Sequence, residues 1–241
     1  MVIKKLEIYL ADYAGFCGGV KRACKLAFAA ADDGVYCLGD IVHNEVVIND
    51  LKEKKVKTIE NTQVYNSKVI IRSHGVPKED LEKLRYNNNE IIDCVCPKVK
   101  KIYNIVEKYF KKGYNIIIVG DENHPEVKGI NSYCNNEAII FNKEEDLKVP
   151  VGKTIVVAQS TSNEKVFDYL TNLIKNISKS EILVYNTICD ATFNRQNSIR
   201  KLAKIVDAII VLGGKKSSNT KKLAEVAKES CKNVFLIQSI K

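Results

Sequence analysis

The sequence lacks any apolar run long enough to cross a membrane. Runs such as Ile116–Val119 and Ala208–Leu212 fall far short of the ~18 residues that a span requires. Lys4, Lys5 and Glu7 interrupt the N-terminus, so no signal-peptide apolar segment forms there, and the expected compartment is the cytoplasm. Arginine is scarce. Only Arg22, Arg72, Arg85, Arg195 and Arg200 occur among 38 cationic residues. The net charge of +9 invites a nucleic-acid reading. Arginine, however, is the side chain that forks onto phosphates and base edges, and the lysines are spread along helical faces. Neither a nucleic acid nor a membrane is therefore an expected partner. No C-x2-C pair is present, which disfavours a zinc ribbon and a thioredoxin-like site, and no C-x2-C-x2-C run, which disfavours a bacterial ferredoxin. Walker A and G-x-G-x-x-G patterns are missing too, so no nucleotide is implied.

What is present is a soluble, globular composition. The chain has 241 residues, of which 45% are hydrophobic and 28% charged, enough to bury a sizeable core. Short β-branched runs, from Lys5–Leu10 to Asn233–Ile237, alternate with helical stretches, from Gly18–Ala31 to Asn219–Glu229. That alternation predicts an α/β fold with mainly parallel sheets covered by helices.

One feature recurs. Three times an extended segment runs into a cysteine that opens a basic helix: Phe16-Cys17-Gly18-Gly19-Val20-Lys21-Arg22, Asp93-Cys94-Val95-Cys96-Pro97-Lys98, and Thr187-Ile188-Cys189-Asp190-Ala191-Thr192. Similar units at comparable intervals predict three small α/β lobes, over 13–95, 96–188 and 189–241, the last joined by an N-terminal strand within 1–12. Pro97 suits a first helical position, and Thr192 or Asp190 could cap. Amide donors at a helix N-terminus favour a thiolate, the form that binds metal. Three such thiolates would hold three irons of a cubane cluster and leave the fourth iron open. For any one cysteine the alternative is a small hydrophobe where a strand meets a helix. Cys24, Cys37, Cys94, Cys134 and Cys231 fall within apparent helices, strands or loops and are read as structural or incidental.

His43, His74 and His124 each sit beside turn-forming residues just past a strand, where parallel sheets carry their ligand crevice. They could serve an acidic ligand, or each could be a capping or surface histidine. Glu126, in the first turn of a helix after Pro125, is either a dipole-compensating carboxylate or a proton donor. Gln159-Ser160-Thr161 follows a strand. Gly213-Gly214-Lys215-Lys216-Ser217-Ser218-Asn219 follows another and opens a helix, as a phosphate cradle or as a polar loop with an N-cap serine.

Seven segments in order together resemble the 4-hydroxy-3-methylbut-2-enyl diphosphate reductase (LytB) family. They are Gly15-Phe16-Cys17-x-Gly19-Val20-x-Arg22-Ala23, Val42-His43-Asn44-x-x-Val47, Ser73-His74-Gly75-Val76, Cys96-Pro97, His124-Pro125-Glu126-Val127, Thr187-Ile188-Cys189-x-Ala191-Thr192-x-x-Arg195-Gln196 and Ser217-Ser218-Asn219. The resemblance implies a pseudo-threefold trefoil of α/β lobes around one central [4Fe–4S] cluster per chain. It implies Cys17, Cys96 and Cys189 as the cluster's ligands, with one open iron, and sets Cys94 aside. His43, His74, His124, Ser217, Ser218 and Asn219 would bind the diphosphate of a small allylic substrate. Glu126, Ser160 and Thr161 would relay protons. The implied reaction is two-electron reductive dehydroxylation, with ferredoxin or flavodoxin as electron donor. Ser160 stands where a threonine is usual, Asn123 where a glycine is usual and Asn186 where an aspartate is usual. The family continues past the last strand with a Gly/Ala/Ser-rich tail, so the sequence is expected to be a fragment. Two rival readings are a cluster enzyme acting on another small acid, and a non-catalytic remnant that binds metal or nucleic acid.

Overall fold

The computed structural model describes residues 6–238. Its first unit runs α1 (Gly18–Ala30), β1 (Val35–Leu38), α2 (Glu45–Glu53), β2 (Lys57–Ile59), β3 (Lys68–Ile71), α3 (Lys78–Tyr86), β4 (Glu90–Asp93). The second runs α4 (Pro97–Phe110), β5 (Asn115–Val119), α5 (Pro125–Ser132), β6 (Ile139–Phe141), a 3-10 turn at Glu144–Asp146, β7 (Thr154–Ala158), α6 (Glu164–Ile177), β8 (Ile182–Tyr185). The third runs α7 (Asp190–Leu202), β9 (Ala208–Leu212), α8 (Ser218–Lys228), β10 (Asn233–Ile237).

Every strand pairing among the described residues is parallel. The first sheet is ordered β2-β1-β3-β4 and the second β6-β5-β7-β8, the same topology twice. The third sheet, β10-β9, repeats the first adjacency of that plan. In the two larger sheets the winding direction changes between the two central strands, β1/β3 and β5/β7. Loops leaving the carboxyl ends of such strands diverge and open a crevice.

Side-chain alternation explains the layers. Ile116, Ile118, Ile155 and Val157 face one cluster, and Ile117, Val119, Val156 and Ala158 face another. Both sets are buried, so β5 and β7 are covered on both faces. The first cluster also takes Val69 and Ile71 of the first sheet, with Val99, Ile102 and Val106 of α4. The first two sheets therefore share one continuous core around α3, α4 and α5. Ala23, Ala27 and Ile70 form a separate cluster under α1 and α2, and the third unit closes its own around Ile199, Val211 and Ala227.

Two expectations need correction. Residues 6–10 of the expected strand Lys5–Leu10 form no strand, and Lys5 lies outside the described residues. Leu6, Ile8 and Leu10 have the right alternation but are 83%, 86% and 84% exposed. The N-terminal strand assigned to the third lobe is thus absent over residues 6–10. Conversely, Lys57–Ile59 has no apolar run to mark it as a strand, yet it pairs with β1 from Tyr36 to Leu38. It is a short edge strand whose polar residues give no apolar run to find. Among the described residues, no helix is long and apolar enough to cross a membrane.

Ile118 is fully buried in the shared core and Ile8 is solvent-exposed. Ile118→Ala should lower the unfolding free energy by ~2–5 kcal/mol. Ile8→Ala should change it by less than ~0.5 kcal/mol. Urea unfolding of both variants checks this contrast.

Candidate active site: three helix-capping thiols beside a histidine cluster

Cys17, Cys96 and Cys189 are the N-cap residues of α1, α4 and α7, each with extended backbone angles. The cap is thus the cysteine itself and not Thr192 or Asp190, while Pro97 does open α4. The three are brought together. A Cβ on Gly19 would lie 2.6 Å from Cys96 Sγ and 3.9 Å from Cys17 Sγ, so a side chain there would occupy the space between the thiols. Cys96 also feels the charge of both Cys17 and Cys189. Cys189 Sγ accepts from the Thr192 amide at 3.4 Å and lies 3.1 Å from Thr192 Oγ1.

The expectation that a helix-capping thiol ionises readily fails for Cys96. Burial raises its pKa, and the amides of Lys98 and Val99 offset only part of the rise. Cys94, two residues away, differs in kind. It is fully buried among Ala23, Ala27 and Ile70, and burial pushes its thiol to about 12. Cys37, Cys134 and Cys231 are buried as well, and Cys24 is half-buried.

Three cationic side chains tie the cysteine-bearing segments into a closed ring. Arg22 of α1 donates to the carbonyls of Val95 at 3.2 Å and Asp93 at 3.4 Å, just before Cys96. Lys98 of α4 donates to Asp190 at 2.7 Å, next to Cys189. Arg195 of α7 donates to the carbonyls of Tyr13 at 3.0 Å and Gly15 at 2.6 Å, just before Cys17. Sequence reasoning quoted Arg22 and Arg195 only as parts of motifs. Their place five and six residues beyond a capping cysteine was the available signal.

His43, His74 and His124 leave the carboxyl ends of β1, β3 and β5. His43 and His74 stack with ring centroids 4.5 Å apart, and His124 stands edge-on at 5.9 and 5.5 Å. Burial is the largest cause lowering all three pKa values, to about 4 for His124. Nearby Arg72, with Lys221 for His43 and His124 and Lys216 for His43, pushes in the same direction. The imidazoles are thus neutral near pH 7. His43 Nδ1, His74 Nδ1 and His124 Nε2 are buried with no protein partner.

One nitrogen from each ring lies within 4.8 Å of the others, close enough to suggest a single metal ion. His124 argues against that. Its Nδ1 caps α5, accepting from the Glu126 amide at 3.1 Å. A neutral imidazole that accepts at Nδ1 carries its proton on Nε2, which is then a donor and no longer a ligand. The capping role that the sequence offered as the plain alternative is what turns His124 into a donor. With Arg72, Lys216 and Lys221 nearby, the cluster suits an anion.

Glu126 is 1% exposed, and burial raises its pKa. Ser160 opposes that rise with its amide, 2.6 Å from Oε1, and its hydroxyl, 2.8 Å from Oε2. Thr161 Oγ1 donates to Ser218 Oγ at 2.9 Å, and Gln159 Nε2 donates to Thr161 at 3.1 Å. Ser217 is the N-cap of α8, accepting from the Thr220 amide, and Asn219 lies in the first turn beside it. Gly214 presses on the His43 carbonyl, leaving no room for a Cβ, and so seats this loop against the histidines. Tyr103 of α4, which sequence reasoning missed, donates to the His74 carbonyl at 3.1 Å. Its position in an ordinary apolar helix face gave no signal.

The lowered His124 pKa has a measurable consequence. The folded protein binds this proton more weakly than the unfolded chain does. Stability from this residue is therefore fully present above pH 6.5 and is lost as pH falls toward about 4. His124→Asn keeps a capping side chain without the titration. Urea unfolding at neutral and acidic pH should show a shallower loss of stability for the variant than for the parent.

Comparison with known proteins agrees with this geometry. The chain matches the family described as LytB protein over residues 8–241. It is 44% identical to the 4-hydroxy-3-methylbut-2-enyl diphosphate reductase of Caldanaerobacter subterraneus subsp. tengcongensis, over 97% of this chain and 84% of that protein. The enzyme of that name from Nitratiruptor sp. is 42% identical, over 98% and 86%. A solved (E)-4-hydroxy-3-methyl-but-2-enyl diphosphate reductase, the terminal enzyme of the non-mevalonate pathway, is 40% identical with a TM-score of 0.69, over 96% of this chain and 85% of that one. The Plasmodium falciparum E-1-hydroxy-2-methyl-but-2-enyl-4-diphosphate reductase superposes with a TM-score of 0.84 at 29% identity, over 94% and 74%. With the match spanning nearly its whole length, this chain belongs to the LytB family.

Proposed function

We propose that this protein is a cytoplasmic reductase that removes the hydroxyl of (E)-4-hydroxy-3-methylbut-2-enyl diphosphate, giving isopentenyl and dimethylallyl diphosphates for isoprenoid synthesis. The observation that carries this reading is the meeting of three helix-capping thiols, beside a neutral imidazole cluster and a buried carboxyl. The relatives' shared name supports the same substrate. The rival of a non-catalytic remnant leaves the buried Glu126–Ser160 pair and the donor cluster without a purpose.

Cys17, Cys96 and Cys189 would hold a [4Fe–4S] cluster with one iron open. The donor set fits: three half-exposed thiols at helix N-termini, with the glycine at 19 keeping the space between them clear. When bound, that group supplies the two electrons and a Lewis-acidic iron for the substrate hydroxyl. Ferredoxin or flavodoxin would deliver the electrons.

The remaining roles fall to the chain's own side chains. His43, His74 and His124 would donate hydrogen bonds to the diphosphate, with Ser217, Ser218 and Asn219 closing on it from α8. Arg72, Lys216 and Lys221 set a positive potential around it. Glu126, kept protonatable by burial, would pass a proton through Ser160 to the departing hydroxyl, which leaves as water. A second proton completes the allylic product, so two protons and two electrons enter and one water leaves. Ser160 keeps a hydroxyl where the family usually has threonine. Thr161, bonded to Ser218, links this relay to the diphosphate end.

Anaerobic reconstitution tests the reading. The parent protein should bind four irons and reduce the allylic diphosphate with dithionite and a viologen mediator. Cys96→Ser should lose the intact cluster while Cys94→Ser keeps it. The reverse result would overturn the ligand assignment. Glu126→Gln should keep the cluster and substrate affinity while kcat falls by roughly a hundredfold or more. Full activity in that variant would remove Glu126 from proton transfer. His124→Ala should raise KM with the cluster intact.

A further inference from the structure

On the diphosphate side Glu126, His124 and Ser160 are buried, while His43, His74, Ser217, Ser218 and Asn219 are half-exposed. The three thiols are half-exposed. Large apolar side chains stand open next to them. Phe16, adjacent to Cys17, is 43% exposed, and Phe193, one turn beyond Cys189, is 40% exposed. The Phe193 amide donates to the Cys189 carbonyl, which fixes it over that thiol's turn.

Around this apolar centre the charge is positive. Lys21 lies four residues after Cys17 on the exposed face of α1, its amide bonded to the Cys17 carbonyl. Lys98 is exposed and feels both Cys96 and Cys189. Lys101 is exposed and close enough to act on Asp190. Asp190 is paired with Lys98 and Asp93 with Lys100, and Asp12, four residues before Phe16, is exposed. An apolar centre over the redox atoms with a cationic rim fits a partner that carries a surface redox group inside an acidic rim.

We propose that the face formed by Phe16 and Phe193, rimmed by Lys21 and Lys101, is the docking surface for a small acidic electron-carrier protein. The assignment rests on the reading of the thiol triad as the redox centre, and it adds where electrons enter. The carrier approaches where the two exposed phenylalanines stand next to the capping thiols. Lysine in place of arginine suits a brief encounter, in which the carrier is attracted at long range and then released.

The test uses the anaerobic holoenzyme and the double variant Lys21→Glu/Lys101→Glu. Neither residue holds the cluster, touches the diphosphate site or belongs to the ring of ties. With a reduced bacterial flavodoxin as donor, KM for the carrier should rise about tenfold or more, and the parent's loss of rate with added salt should flatten. With dithionite and a viologen mediator, kcat and substrate KM should match the parent. The control variant Lys175→Glu/Lys179→Glu, on and just beyond α6, should leave the carrier KM unchanged.

Unchanged flavodoxin-driven turnover in the first variant overturns the proposal. An equal effect in the control also overturns it, because net charge alone would then explain the result. A loss shared by both reductants would place Lys21 and Lys101 in the reduction chemistry and reject the surface assignment. Loss of affinity for a fluorescent single-stranded RNA, with carrier KM unchanged, would assign the face to nucleic acid instead. Failure of the parent protein to turn over with dithionite would refute the underlying reductase reading and is distinguishable from all of these.

Discussion

Three helix N-termini that converge head to head are the constraint on which the site depends. Each carries unsatisfied amide donors and the positive end of a helix dipole, so their meeting is unfavourable unless something negative sits between them. The chain places a cysteine at each cap and glycine at 19, so that sulfur and not carbon fills the centre. Burial raises the Cys96 pKa despite two amide donors, so a metal bound there would be coupled to ionisation of that thiol.

The ring formed by Arg22, Lys98 and Arg195 gives this convergence its rigidity. Four of the five carbonyl or carboxylate bonds it makes go to backbone oxygens, which cannot move independently of the segments that bear the cysteines. A side chain that bonds to a neighbour's backbone fixes one segment against another. The capping cysteines then inherit that spacing. The shared core beneath α4 does the same for the first two units, and only the third unit relies mainly on polar ties and its own small core.

Polar groups around the histidine cluster are divided by protonation state. The imidazoles are neutral donors because burial and nearby cations disfavour their charge. The positive charge beside them resides instead on Arg72, Lys216 and Lys221. Glu126 is the opposite case, a carboxyl made easier to protonate by burial and steadied by Ser160. Neutral donors, fixed cations and one protonatable acid can therefore coexist within a few residues of each other.

Much of this was legible in the sequence. Recurrence of a cysteine at a strand-to-helix junction pointed to Cys17, Cys96 and Cys189, and the position of His43, His74 and His124 just past strands pointed to one crevice. Those signals are local: they depend on which residue follows a strand and opens a helix. The alternation of Leu6, Ile8 and Leu10 was equally local and misled, because a strand needs an edge to pair with and the sequence does not say whether one is near. Lys57–Ile59 was invisible for the converse reason. The sequence by itself determined the parallel α/β plan, its repetition and the residue types at each loop, since these follow from hydrophobic period and turn chemistry. Only the tertiary structure decided that His124 donates through Nε2, that Tyr103 supports His74, that two units share a core and that three cations close a ring. Each of these depends on partners brought close by packing, often tens of residues apart in the chain, and no spacing rule encodes such a distance.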